Sequence, residues 1–172
     1  MTAEDTRSAL VRAGVELLEE TGSADLGLRA IARRAGVSHG APRRWFPTHR
    51  LLLAAVAEEG LRDLGWQLSA TADGGIAAMA RAYVAFARER PAMFTLIFRH
   101  DLLVGSGAEL RTVSRPLFAW FTGLVGDEET AAALWVGMHG IAVLASTGSL
   151  ALIADGVDED ALIERVVRSS AG

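Results

Sequence analysis

Apolar side chains recur along this chain at helical spacing almost throughout, and runs that alternate at the period of a strand are few. From about Thr6 to Glu20, the residues Leu10, Ala13, Gly14, Leu17 and Leu18 fall on one face. Thr21-Gly22 follows as a stop signal, because glycine leaves a helix through positive φ without strain. The same spacing predicts a short helix over about Leu28–Ala35 and another over about His39–Trp45. Thr48, behind Pro47, is the expected N-cap of a long helix reaching about Leu68. After a glycine-containing loop at Thr71–Gly75, further helices are predicted at about Ile76–Arg88, Pro91–Phe98, Glu109–Leu124, Thr130–Thr147 and Glu159–Arg168. The last has Asp158, Glu159 and Asp160 at its start and Arg165 and Arg168 at its end, the distribution a helix dipole favours. The predicted fold class is all-α: a head of three helices, then a long helix that joins it to a helical body.

Charge sharpens this division. The chain carries a net −4, but residues 1–50 hold eight arginines against six acids, whereas the rest holds nine against fifteen. Residues 26–57 contain six arginines and no acid at all. A basic segment on an acidic body is the asymmetry expected of a DNA reader, and a solvated helix face is the plainer alternative. The absence of cysteine excludes a disulfide scaffold and thiolate metal sites. The opening MTAEDTRS lacks the basic and apolar regions of a secretory signal, so a cytoplasmic location is expected.

The basic segment also holds a motif. In Leu28-Arg29-Ala30-Ile31-Ala32-Arg33-Arg34-Ala35-Gly36-Val37-Ser38, the residues Ile31, Ala35 and Val37 supply apolar contacts and Ala32 is small enough for two helices to cross closely. Gly36 can take the positive φ of a sharp turn, and Ser38 is the expected cap of the next helix. This is the pattern of a helix-turn-helix, and Trp45-Phe46-Pro47-Thr48 running into Leu51-Leu52 extends it.

Across residues 7–60 the sequence resembles the TetR (tetracycline-repressor-like) family, whose string "IA..AGVS.G..Y.YF.SKE.LL" is seen here as IARRAGVSHGAPRRWFPTHRLLL. The resemblance implies that the helix from His39 lies in the major groove and that its neighbours hold phosphates. Three positions depart from the pattern: Gly27 stands for a Ser or Thr, Arg43 for a Tyr, and His49 for a Lys. Arg43 can replace a phosphate ligand, Gly27 keeps its backbone N–H at a helix start, and His49 is a weaker, pH-dependent contact. The candidate DNA-binding residues are Arg29, Ser38, His39, Gly40, Arg43, Arg44 and His49. Arg44 is a candidate for bidentate guanine recognition, with an ordinary phosphate contact as its alternative. Trp45 and Phe46 are read as core anchors, with base stacking as the alternative.

Residues 130–154 carry no formal charge, a length sufficient for a membrane span. Interruption by Gly137, His139, Gly140, Ser146, Thr147, Gly148 and Ser149, and the lack of basic anchors, favour burial against a second subunit. Trp135-Val136-Gly137-Met138-His139-Gly140, with Tyr83 to Phe94 upstream, resembles the WHG-type C-terminal domain of one TetR subfamily. That likeness implies an all-helical, ligand-responsive body that dimerises through its last two long helices. Met79, Tyr83, Phe86, Met93, Phe94, Phe98, Phe118, Trp120, Phe121, Trp135, Met138 and His139 are candidates to line an apolar effector pocket, each with ordinary core packing as the alternative. His100-Asp101 is either a polar handle or a loop closure.

No catalytic motif is present, and the four histidines at 39, 49, 100 and 139 lack metal-ligand spacing, so neither enzyme activity nor a cofactor or metal is expected. The expectation is a homodimeric regulator with a DNA-binding domain over residues 1–50 and an effector-binding and dimerisation domain over 51–172. Its expected partners are double-stranded operator DNA, a second copy and an unidentified small effector, with no membrane. The alternative is a small-molecule binding protein whose head no longer grips DNA.

Overall fold

The computed structural model describes residues 3–23, 25–99, 110–153 and 155–170, with side chains from residue 6 onward. The described residues form helices joined by turns, with no strand among them. In chain order the helices are α1 (Ala3–Thr21), α2 (Leu28–Arg34), α3 (Ala41–Trp45), α4 (His49–Ala70), α5 (Gly75–Glu89), α6 (Pro91–Ile97), α7 (Arg111–Val125), α8 (Glu128–Ser146), α9 (Ser149–Ile153) and α10 (Glu159–Ser170), with a 3₁₀ turn at Ala72–Gly74.

The predicted stop and start signals act as their chemistry requires. Gly22 takes φ +65° and returns its N–H to the Leu18 carbonyl at 3.0 Å, ending α1. Gly36 takes φ +67°; its N–H reaches the Arg33 carbonyl, and the Val37 N–H reaches Ala32. That pair of bonds is the Schellman closure of α2. The Leu51 N–H donates to the Thr48 hydroxyl at 3.2 Å, so Thr48 caps α4.

Three expectations are corrected. Ser38 does not cap the next helix, which starts at Ala41 behind Gly40 with no side-chain cap. A helix beginning at His39 would need an N–H from residue 42 to the Ser38 carbonyl, and Pro42 has none; the Ala41 N–H makes a turn to Ser38 instead. Pro42 thereby falls within the first two helical positions, where no bond is required. Second, α8 starts at Glu128 rather than Thr130, because Asp127 accepts the Thr130 N–H at 2.9 Å as its N-cap. That bond holds the Asp127 carboxyl below the usual carboxylate range. Third, α9 was not predicted: Gly148, at φ +69°, turns the chain after α8 into this short helix. The predicted start of α7 at Glu109 lies outside the described residues.

The chain divides into two compact units. The first comprises residues 1–62 and 92–111, the second 63–91 and 112–172, so α4 contributes to both. In the first unit Leu10, Leu18, Ile31, Leu52, Leu53 and Val56 are buried. Here Gly14 lets α1 approach so closely that an added Cβ would stand 2.6 Å from Val56 Cγ2. In the second unit α5, α8 and α10 pack on one another around Met79, Tyr83, Phe86, Leu134, Met138 and Ile163. Arg81 binds Glu164 and Asp160, and Arg88 binds Glu159, tying α5 to α10. An added Cβ on Gly137 would stand 2.6 Å from Val166 Cγ1, so the absence of a side chain sets the approach of α8 to α10.

Candidate nucleic-acid interface and aromatic cluster

Six arginines project from the acid-free segment, and all six are exposed. Arg34 is matched within the fold: its guanidinium forks onto Glu20 at 2.7 and 2.5 Å and approaches Glu16 at 3.5 Å. The Glu20 hydrogen bond drives the Arg34 pKa upward, and Arg34 in turn lowers that of Glu20. Arg29, Arg33, Arg43, Arg44 and Arg50 meet no carboxylate among the described residues. Five uncompensated cations on α2, α3 and the first turn of α4 form a concentrated positive surface.

Geometry distinguishes the other candidates. Ser38, His39 and Gly40 are exposed in the turn that opens α3. A Cβ at Gly40 would meet nothing within 4 Å and its φ is −83°, so the protein alone does not require glycine there. Gly27 is the N-cap of α2, also open on every side, with its carbonyl accepting from Ala30 and Ile31. Arg44 lies over the Trp45 ring, its Cζ 5.9 Å from the centroid, which restrains a long side chain beside the recognition segment. His49 is half-buried, and its Nε2 is fully buried without a hydrogen-bond partner among the described residues. Phe46 is 4% exposed, in keeping with a core anchor, while Trp45 is half-buried. Arg7 of α1 lies over the Phe46 ring at 5.4 Å; the helix-turn-helix pattern did not single it out because it lies far upstream in sequence.

The aromatic candidates fall into separate groups. In the second unit Trp135 is the hub, with Tyr83 at 5.0 Å, Phe121 at 6.0 Å and Phe118 edge-on at 6.2 Å. The Tyr83 hydroxyl and His139 Nδ1 are hydrogen-bonded at 2.8 Å. Burial pushes the Tyr83 phenol far above its ordinary range and pulls the His139 imidazole below its own, so both groups stay neutral near pH 7. Met79, Phe86 and Met138 are buried core side chains of the same unit, and Arg90, bound to Asp63, covers the Phe86 ring at 5.2 Å. Trp120 is half-buried on α7. Phe94 and Phe98 belong to the first unit and pack on each other at 5.0 Å, with Met93 buried beside Gly60. His100-Asp101 lies outside the described residues. Among the described residues, no helix is long and apolar enough to cross a membrane.

Residues 10–56 match the bacterial regulatory proteins of the tetR family, and residues 76–170 match the tetracyclin repressor-like C-terminal domain. Among solved structures, the chain is similar to a protein of unknown function from Rhodococcus sp. RHA1, at 26% identity and TM-score 0.79, covering 96% of this chain and 93% of that one. It is similar in fold to a tetR-family transcriptional regulator from Streptomyces coelicolor, at 18% identity and TM-score 0.66, over 99% and 80% of the two chains. It is likewise similar in fold to the multidrug binding protein EbrR complexed with ethidium, at 19% identity and TM-score 0.70, over 95% and 97%. No curated protein matches the chain.

Proposed function

The chain belongs to the tetR family of bacterial regulatory proteins, a DNA-binding transcriptional regulator with a ligand-binding body, and from that premise we propose that it is a homodimeric cytoplasmic repressor released from a palindromic operator by a small, largely apolar effector. The observation that carries the DNA half is the set of five exposed arginines on α2, α3 and the start of α4 that meet no carboxylate among the described residues. Residues 1–50 act as the DNA-binding domain, with Arg29, Ser38, His39, Gly40, Arg43 and Arg44 at the duplex; the buried Nε2 of His49 does not face it. Residues 51–172 bind the effector and dimerise. Arg44 reads a base edge, and Arg29 and Arg43 hold phosphates that fix the register.

An exposed face of α8 supports the homodimer. Ala132, Ala133, Val136, Gly140 and Val143 face solvent in one protomer, with Val136 69% and Val143 40% exposed. An apolar helix face of this kind is covered by a second copy, with α10 beside it. The effector is taken up at the aromatic cluster of the second unit, where Phe118, Phe121 and Tyr83 surround Trp135 and the Tyr83–His139 pair supplies a polar group. Release follows if the effector prefers a head spacing that misfits the operator, a coupling of about 1–3 kcal/mol being typical.

Selection of duplex sites by the purified protein tests this reading. A two-fold symmetric motif with half-sites one helical turn apart is expected. Recovery of no enriched sequence, with no salt-sensitive retention of duplex DNA, would overturn it.

A further inference from the structure

We infer that Arg7 of α1 is a phosphate contact at the wall of the major groove, set in place by the ring of Phe46; this rests on the DNA-binding reading above. Arg7 is exposed, while the ring beneath it is 4% exposed, so the guanidinium lies on the solvent side of the residue that caps α3. No carboxylate neutralises it among the described residues, in contrast to Arg34, whose charge Glu16 and Glu20 already answer.

Dimensions decide what such a group can reach. The five residues of α3 span roughly 7.5 Å at the rise of an α-helix, against a major groove about 12 Å wide. The N-terminal residues of a recognition helix meet the base edges, so a cation held at the C-terminal end of α3 falls nearer the phosphates that flank the groove. A guanidinium 5.4 Å from the Phe46 ring, at the C-terminal end of α3, therefore stands at the groove wall. The ring face restrains the arginine without consuming its donors, all of which stay free for phosphate oxygens. Two consecutive aromatics thus each carry an arginine: Trp45 restrains Arg44 and Phe46 restrains Arg7.

The test is the salt dependence of DNA affinity, measured for the wild type, Arg7→Gln and Arg7→Lys on a duplex recovered by site selection and on a scrambled duplex of the same length. Loss of one phosphate contact per head lowers the slope of log K against log salt by about 0.9 per protomer, hence by about 2 for two engaged heads. Arg7→Gln should show that loss equally on both duplexes, and Arg7→Lys should retain the wild-type slope. Arg7→Met, which keeps the apolar stem against the ring, is the second uncharged variant should Arg7→Gln melt early. An unchanged slope in an uncharged variant whose wild type binds DNA overturns the inference and leaves Arg7 a packing residue. A loss confined to the selected duplex overturns it in favour of base reading. Absence of salt-sensitive binding in the wild type removes the DNA-binding proposal itself.

Discussion

Replacing Gly137 by alanine should expose how tightly the body is closed. The new methyl would stand 2.6 Å from Val166 Cγ1, where ordinary contact begins at 3.4 Å, so α8 and α10 must separate by nearly 1 Å or Val166 must turn. Val166 is β-branched and on a helix, which leaves it one strongly preferred rotamer; a ~30° departure costs about 0.5–1.5 kcal/mol. Overpacking as a whole typically costs about 1–3 kcal/mol, against about 1 kcal/mol gained from alanine's better helix propensity. Gly123 on α7 supplies the contrast, since a Cβ there meets nothing within 4 Å and Gly123→Ala keeps the propensity gain undiminished. Urea denaturation at one fixed protein concentration should therefore rank Gly123→Ala above Gly137→Ala by about 1–3 kcal/mol. Val166→Ala should recover part of the loss in the Gly137→Ala background, a coupling of about 0.5–3 kcal/mol. Equal stabilisation by both glycine replacements, with Val166→Ala strictly additive, would refute the reasoning.

Other expectations concern the site more directly. Tyr83 is fully buried, so truncation to alanine would test folding more than function; Tyr83→Phe removes only the hydroxyl that meets His139. It should cost about 1–3 kcal/mol and change the effector response while operator affinity, read by fluorescence anisotropy, stays near wild type. His139 has its folded pKa depressed by burial, so acid protonates the unfolded chain first. Its contribution is complete above the ordinary histidine range and is lost as pH falls through it; Tm between pH 8 and pH 5 should drop, and His139→Gln should flatten that drop. Arg44→Ala should relax preference at one base position per half-site by about 1–3 kcal/mol in a repeated site selection, whereas uniform loss across sequences would make Arg44 a phosphate contact. Gly40→Ser should leave Tm unchanged or slightly raised, since a φ of −83° suits any residue, the site is open and serine narrows the freedom of the unfolded chain, yet weaken DNA binding if the duplex approaches this turn.

Much of this was legible in one dimension because it depends on neighbours in sequence. The Gly22 and Gly36 stops, the Thr48 cap and the clustering of arginines at 29–50 are local, and each appears in the fold as its chemistry predicts. The start of α3 was misread for an equally local reason: the missing N–H of Pro42 outweighed the capping preference of Ser38. What only the tertiary structure decided concerns pairs far apart in the chain. Six arginines look equivalent in a string of letters, but the acids of α1 neutralise Arg34, while Arg7, outside the motif, is carried onto the end of α3 by Phe46. Likewise Tyr83 and His139, 56 positions apart, become one hydrogen-bonded pair. The aromatic candidates divide between two units because packing sorts rings by position in space, which helical periodicity alone does not encode.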